Sequence, residues 1–157
     1  NFGSGFKIAI FDVTPTRPVT CTSLGCAIAP YYSEKISLQY FFNIGTIFND
    51  NKIDLLWKQK RIVGQEFISN GFLKKRDHII NQFFEVIDSG VSARRLIEEC
   101  DAIISMPFTS TAIIGKELGK PSIFYDASAS IEQYESHGIP VLKSKDELKS
   151  WYRSLNL

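Results

Sequence analysis

From residue 6 onward the chain alternates short, continuously apolar runs with longer stretches whose apolar residues recur at helical spacing. Phe6 to Val13, bounded by Gly5 and Thr14-Pro15, predicts a buried strand. Ser33 is placed to cap a helix reaching about Ile47, with Ile36, Tyr40, Ile44 and Ile47 on one face. After the turn Asn49-Asp50-Asn51, Ile53 to Trp57 predicts a second strand that runs into Lys58, Lys60 and Arg61. A helix from about Asp77 to Phe84 and a short strand, Glu85 to Ile87, come next. Ala93, Leu96, Ile97 and Cys100 then follow the i, i+3, i+4, i+7 pattern of a third helix. Asp101 to Met106 predicts a buried strand broken by Pro107. Thr111, Ile114 and Leu118 carry a helix stopped by Gly119 ahead of Pro121. Ser122 to Asp126 and Ile139 to Leu142 predict the last strands. The capping box Ser144-Lys145-Asp146-Glu147 opens a terminal helix with Leu148, Trp151, Tyr152 and Leu155 on one face.

Strands that alternate with helices along the whole chain predict an α/β fold with a mostly parallel sheet covered on both faces. Ligands of such sheets bind beyond the carboxyl ends of the strands, where the strand order reverses. Five segments are therefore candidates: Thr14 to Arg17, Lys58 to Arg61, Asp88 to Ser92, Pro107 to Thr111 and Asp126 to Ser130. The stretch from Thr14 to Tyr32 has no periodic pattern, and so long a connection is usually functional or mobile.

Composition narrows the class. A chain of 157 residues, 44% hydrophobic, with 12 Phe, 6 Tyr and 2 Trp, predicts one globular domain over residues 1–157. Its 18 basic and 17 acidic side chains leave a net charge of +1, so no global charge draws it to nucleic acid. Three unevenly spaced cysteines point to a reducing, cytoplasmic setting, and with two histidines they form no zinc set, so no metal is expected. No apolar run approaches the roughly 20 residues of a spanning helix, so no transmembrane segment is expected. The only methionine is Met106, and the chain opens at Asn1, which predicts a piece of a longer protein.

The most informative stretch is Ser105-Met106-Pro107-Phe108-Thr109-Ser110-Thr111-Ala112. A strand ends, proline imposes an extended turn, and three hydroxyl residues open a helix whose first N–H groups have no intrahelical acceptor. That is a candidate anion cradle, where the helix dipole favours negative charge by about 0.3–1 kcal/mol. A plain helix cap by Thr109 or Ser110 is the competing explanation.

Cys100 to Ala112, continuing through Leu118-Gly119-Lys120-Pro121-Ser122 to Tyr125-Asp126, resembles the bacterial surface-polysaccharide biosynthesis proteins named for a Pro-Phe-Thr-Ser motif. More broadly the chain is similar to the nucleotide-sugar half of GT-B glycosyltransferases; the close match covers about residues 86–126. The resemblance implies a Rossmann-like three-layer domain, one half of a GT-B-like architecture, that binds the donor of a glycosyltransferase. It implies that Thr109, Ser110 and Thr111 meet the donor phosphate, that Phe108 shapes the turn, and that Asp126 rims the cleft. Lys58 and Arg61 would oppose the phosphate, and Thr14 and Arg17 would face the cleft from the first loop. The His-Pro pair of many relatives is missing from Trp57-Lys58-Gln59-Lys60-Arg61. His78 and His137 lie outside any nucleophile-plus-acid pattern and read as structural or surface residues.

No cofactor is implied beyond the nucleotide-sugar itself, with a CMP-linked donor preferred because no glycine-rich diphosphate loop is visible. The glycan or lipid-linked acceptor and the catalytic base would belong to a preceding domain. The full-length protein would be cytoplasmic, able to sit peripherally at the inner membrane. Two alternatives stay open. One is a nucleotide-sugar epimerase or hydrolase on the same fold, which needs ionisable residues around Asp126, Glu132 or His137. The other is a receiver-like regulatory module, suggested by Asp12 at a strand end and by Lys120-Pro121.

Overall fold

The structure is a computed structural model that describes residues 5–15, 32–49, 53–59, 68–132 and 135–155. Strands β1 (Phe6–Phe11), β2 (Ile53–Lys58), β3 (Glu85–Ile87), β4 (Ala102–Ser105), β5 (Ser122–Tyr125) and β6 (Val141–Leu142) form one sheet in the order β3-β2-β1-β4-β5-β6. Every adjacent pair is parallel. The expectation of a mostly parallel sheet is met by one that is parallel throughout. Chain order reverses between β1 and β4, which pair from Ile8 opposite Ala102 to Phe11 opposite Ser105.

Five helices among the described residues cover the sheet: α1 (Glu34–Ile47), α2 (Asn70–Phe83), α3 (Ala93–Glu99), α4 (Ser110–Glu117) and α5 (Lys145–Ser154). Because side chains alternate along a strand, Ile8 and Ile10 point into one layer and Ala9 and Phe11 into the other. The first layer joins Tyr40, Phe41 and Ile44 of α1, Ile80 of α2 and Leu148 of α5 to the sheet. In the second, Leu96 and Ile97 of α3 pack on Leu56 and Ile103, while Ala112 of α4 packs on Phe124 and Ile139. Burial on both faces explains why the strands read as unbroken apolar runs. Each fully buried Ile or Phe contributes about 1.5–3 kcal/mol of transfer free energy.

Local signals place most boundaries. Ser33 accepts a hydrogen bond from the Ile36 amide, and Ser144 and Glu147 form the expected capping box. Gly119 stands just past α4 at φ 73°, the left-handed conformation that ends helices. Gly115 is required for a different reason: a Cβ there would lie 2.5 Å from Ser122 Oγ and 2.8 Å from Ile103 Cδ1, so α4 can press onto the sheet only without one.

Three boundaries differ from expectation by two residues or more. Helix α2 begins at Asn70, well before Asp77, because Ser69 caps it and Glu34 in turn accepts from the Ser69 amide at 2.8 Å and hydroxyl at 2.7 Å. Strand β1 ends at Phe11, and the Val13 amide turns to Met106 Sδ. Strand β6 starts only after Pro140, which has no N–H to pair. Most of the unpatterned stretch after Thr14, including Arg17, lies outside the described residues, as do Lys60 and Arg61.

Candidate functional site

The Pro-Phe-Thr-Ser segment leaves β4 as a tight turn. Pro107 is buried and its carbonyl accepts the Tyr32 hydroxyl at 2.9 Å, which fastens the turn to the start of α1. Phe108 takes φ 61°, a left-handed conformation that costs a side-chain-bearing residue about 1–2 kcal/mol. The residue is 37% exposed, and its ring centroid lies 5.8 Å from that of Phe124. Proline followed by a positive-φ residue is the order of a type II turn, in which glycine is the usual second residue.

The hydroxyl residues arrange themselves in a directed chain. Thr109 Oγ1 donates to the Met106 carbonyl at 3.0 Å and lies 3.1 Å from Thr111 Oγ1, itself 2.8 Å from Ser105 Oγ. Each hydroxyl owns one proton, and that of Thr109 is committed to a carbonyl that can only accept. Thr111 therefore donates to Thr109, and Ser105 to Thr111. Ser110 is exposed and stands outside this chain. Thr109 occupies the cap position of α4 but makes no side-chain cap bond, whereas Ser33, Ser69, Ser92 and Ser144 all cap their helices. At this turn the hydroxyls are engaged with one another, and the first amides of α4 have no side-chain cap.

A cleft of about 470 Å³ opens where the strand order reverses. Phe11 and Asp12 at the end of β1, Lys58 at the end of β2, the segment Ser89–Ala93 and Thr111 line it. Lys58 Nζ donates to the Ser89 carbonyl at 3.1 Å. Asp88 shapes the same loop by accepting from the Gly90 amide at 2.7 Å, and Ser92 caps α3. Asp12 is 6% exposed and accepts the Trp57 indole N–H at 3.1 Å. Trp57 is held edge-on by Phe41 and carries the Arg76 guanidinium 5.2 Å above its ring. Beneath the cleft, the Tyr40 hydroxyl reaches the Phe11 carbonyl at 3.0 Å and the Ile104 carbonyl at 3.2 Å, joining β1 to β4. Burial, reinforced by the charge of Asp12 and by Tyr125, holds the Tyr40 phenol well above its ordinary 10.0.

Of the predicted site residues, Lys58 and Thr111 meet in this cleft. Thr14 is exposed just beyond β1, and Phe108, Thr109 and Ser110 form the neighbouring turn. Asp126 is buried away from the cleft's lining: Oδ1 accepts from the Ser128 amide at 3.0 Å and Oδ2 from the Ile131 amide at 2.9 Å, closing its own loop. Arg61 lies outside the described residues. His78 and His137 are exposed and do not line the cleft. Lys120 sits at the opposite end of the sheet, where its ammonium donates to the carbonyls of Ile97, Glu98 and Cys100 at the end of α3. In the sequence Asp12 stands out only for the receiver-like alternative; an acid closing an apolar strand is the signal that marks it as a wall of the cleft. Among the described residues, no three His, Cys, Asp or Glu side chains gather as metal ligands, and no helix is long and apolar enough to cross a membrane.

Sheet order, layers and cleft define a Rossmann-like α/β protein with its pocket at the reversal point. The family described as polysaccharide biosynthesis PFTS motif proteins matches residues 3–152, and the chain belongs to it. Comparison with curated proteins and with solved structures finds no match.

Proposed function

We propose that this member of a polysaccharide biosynthesis family is the nucleotide-sugar donor domain of a glycosyltransferase. The observation that carries the reading is the cleft at the β1/β4 reversal, with Lys58 on its wall and the uncapped first turn of α4 beside it. A departing nucleotide phosphate needs cations and dipoles aimed at its growing charge. Lys58 and the α4 amides supply both, and the hydroxyl chain of Ser105, Thr111 and Thr109 fixes the turn that presents those amides. This shifts the work of phosphate binding from the hydroxyls to the backbone. The acceptor hydroxyl and the base that deprotonates it would come from another part of the full-length protein.

Titration of the chain with CMP, UMP, UDP and GDP tests the reading. Nucleoside monophosphates are expected to bind more tightly than diphosphates. Lys58→Met is expected to weaken the best of them about tenfold or more, the loss of one charge-assisted hydrogen bond. Indifference of the chain to all four nucleotides overturns the assignment.

A further inference from the structure

Where α2 packs over the β2–β3 edge, a second cavity of about 380 Å³ opens that shares no lining residue with the cleft. Its size is that of a small-ligand pocket. Trp57 divides the two: its indole N–H reaches Asp12 on the cleft wall, and its ring carries Arg76 on the cavity side. Leu73, Ile80 and Val86 give the cavity aliphatic walls. Its polar groups are largely unspent. The Arg76 side chain is only 13% exposed, yet its Nε and Nη2 both donate to one oxygen, Oδ1 of Asp77, at 3.1 and 2.8 Å. A guanidinium owns five N–H groups, so three of them, both on Nη1 included, meet no acceptor among the described residues, and Asp77 Oδ2 meets no donor there. The side-chain amides of Gln59 and Asn81, also in the lining, make no hydrogen bond among the described residues either.

The charge of Arg76 is cancelled by Asp77, so the cavity does not select an anion. It offers donors and acceptors side by side above aliphatic carbon. A hydroxyl is itself both donor and acceptor, and a sugar ring carries a rim of hydroxyls around faces of C–H bonds. Trp57 is 3% exposed and covered by Arg76, so those faces would meet Leu73, Ile80 and Val86 and not an aromatic platform. We infer that this cavity is a second binding site, for a neutral sugar unit, in which Arg76 and Asp77 hold neighbouring hydroxyls and Asn81 and Gln59 reach the others. A glycan unit is a ligand that a member of a polysaccharide biosynthesis family meets. The site does not depend on the phosphate reading of the cleft.

The test is saturation transfer by NMR from the chain to the methyl glycosides of glucose, galactose, mannose and N-acetylglucosamine, with affinities taken by titration. At least one of them is expected to bind in the millimolar range. Arg76→Met, which keeps an apolar stem over Trp57, is expected to weaken that binding about tenfold, and Asn81→Ala, at an exposed position of α2, about fivefold. Asn81→Ala decides the matter if circular dichroism finds Arg76→Met unfolded. Lys58→Met is expected to leave sugar binding unchanged, and inorganic phosphate is expected not to displace the sugar. Silence of all the glycosides, binding that survives a folded Arg76→Met or Asn81→Ala, or displacement by phosphate overturns the second site and leaves the phosphate reading of the cleft as it stands. Sugar binding that is lost in Lys58→Met but kept in Arg76→Met places the sugar in the cleft and overturns it equally.

Discussion

At one end of the sheet, Lys120 reaches across to the last carbonyls of α3, Ser122 Oγ donates to the Lys120 carbonyl, and Asp101 accepts from the Lys7 amide. At the other end, the hydroxyls of the Pro-Phe-Thr-Ser turn bond one another, and α4 begins without a side-chain cap beside a 470 Å³ cleft. The contrast teaches which half of a contiguous motif is spent on the fold itself. Gly119-Lys120-Pro121 lies close in sequence to Thr109 to Thr111, yet it serves α3, whose terminal carbonyls a cation satisfies best. Only the turn and its neighbours face the strand ends where ligands bind.

Breaking the satisfied end has the largest expected effect. Lys120→Met removes the ammonium from the carbonyls of Ile97, Glu98 and Cys100, of which Ile97 alone keeps the Cys100 amide, and is expected to cost about 2 kcal/mol, lowering Tm by roughly 4–8 °C in a thermal melt. Nucleotide affinity should not change, and a loss of affinity without a loss of stability would erase the contrast between the ends.

The strained turn sharpens it. Phe108→Gly relieves a backbone cost of about 1 kcal/mol and forfeits a ring contact with Phe124 of similar size, so Tm is expected to move by less than about 3 °C. Phe108→Val keeps the strain, aggravates it with a branched Cβ and loses the ring. Its expected loss is about 2 kcal/mol, and equal melting temperatures for the two variants would show that φ 61° is not maintained.

The smallest effect is a pH dependence at the satisfied end. Burial, partly offset by the charge of Lys120, pushes the Cys100 thiol from 9.0 up to about 12. The unfolded chain releases that proton first. The contribution of Cys100 to stability is therefore complete below about pH 9 and is lost as pH rises toward about 12. Tyr40, also raised, adds a loss of the same sign. Urea melts across this window are expected to show falling stability, with a shallower fall in Cys100→Val.

Much of this organisation is legible in the sequence because its causes are local. Ser33, the box at Ser144 and Glu147, and Gly119 act within a few residues of themselves and announce their elements. The start of α2 was hidden because Asn70 and Gly71 suggest a loop, and the partner that stabilises Ser69 is the remote Glu34. The meeting of Asp12, Lys58 and Thr111 depends on strand order, which no local pattern encodes. Asp126 misled for the opposite reason: it stands at a strand end, as a ligand residue would, but its carboxylate organises the turn that follows.

Tyr40 has one more consequence. The pairing of β1 with β4 ends at Phe11 opposite Ser105, and just there one phenol shares its proton between the carbonyls of Phe11 and Ile104. Because burial holds that proton well above the ordinary phenol range, alkali that would strip a free tyrosine leaves this tie beneath the pocket in place. The floor of the cleft is thus a fixed gauge, its strand ladder locked by an aromatic rivet from the far side of the sheet.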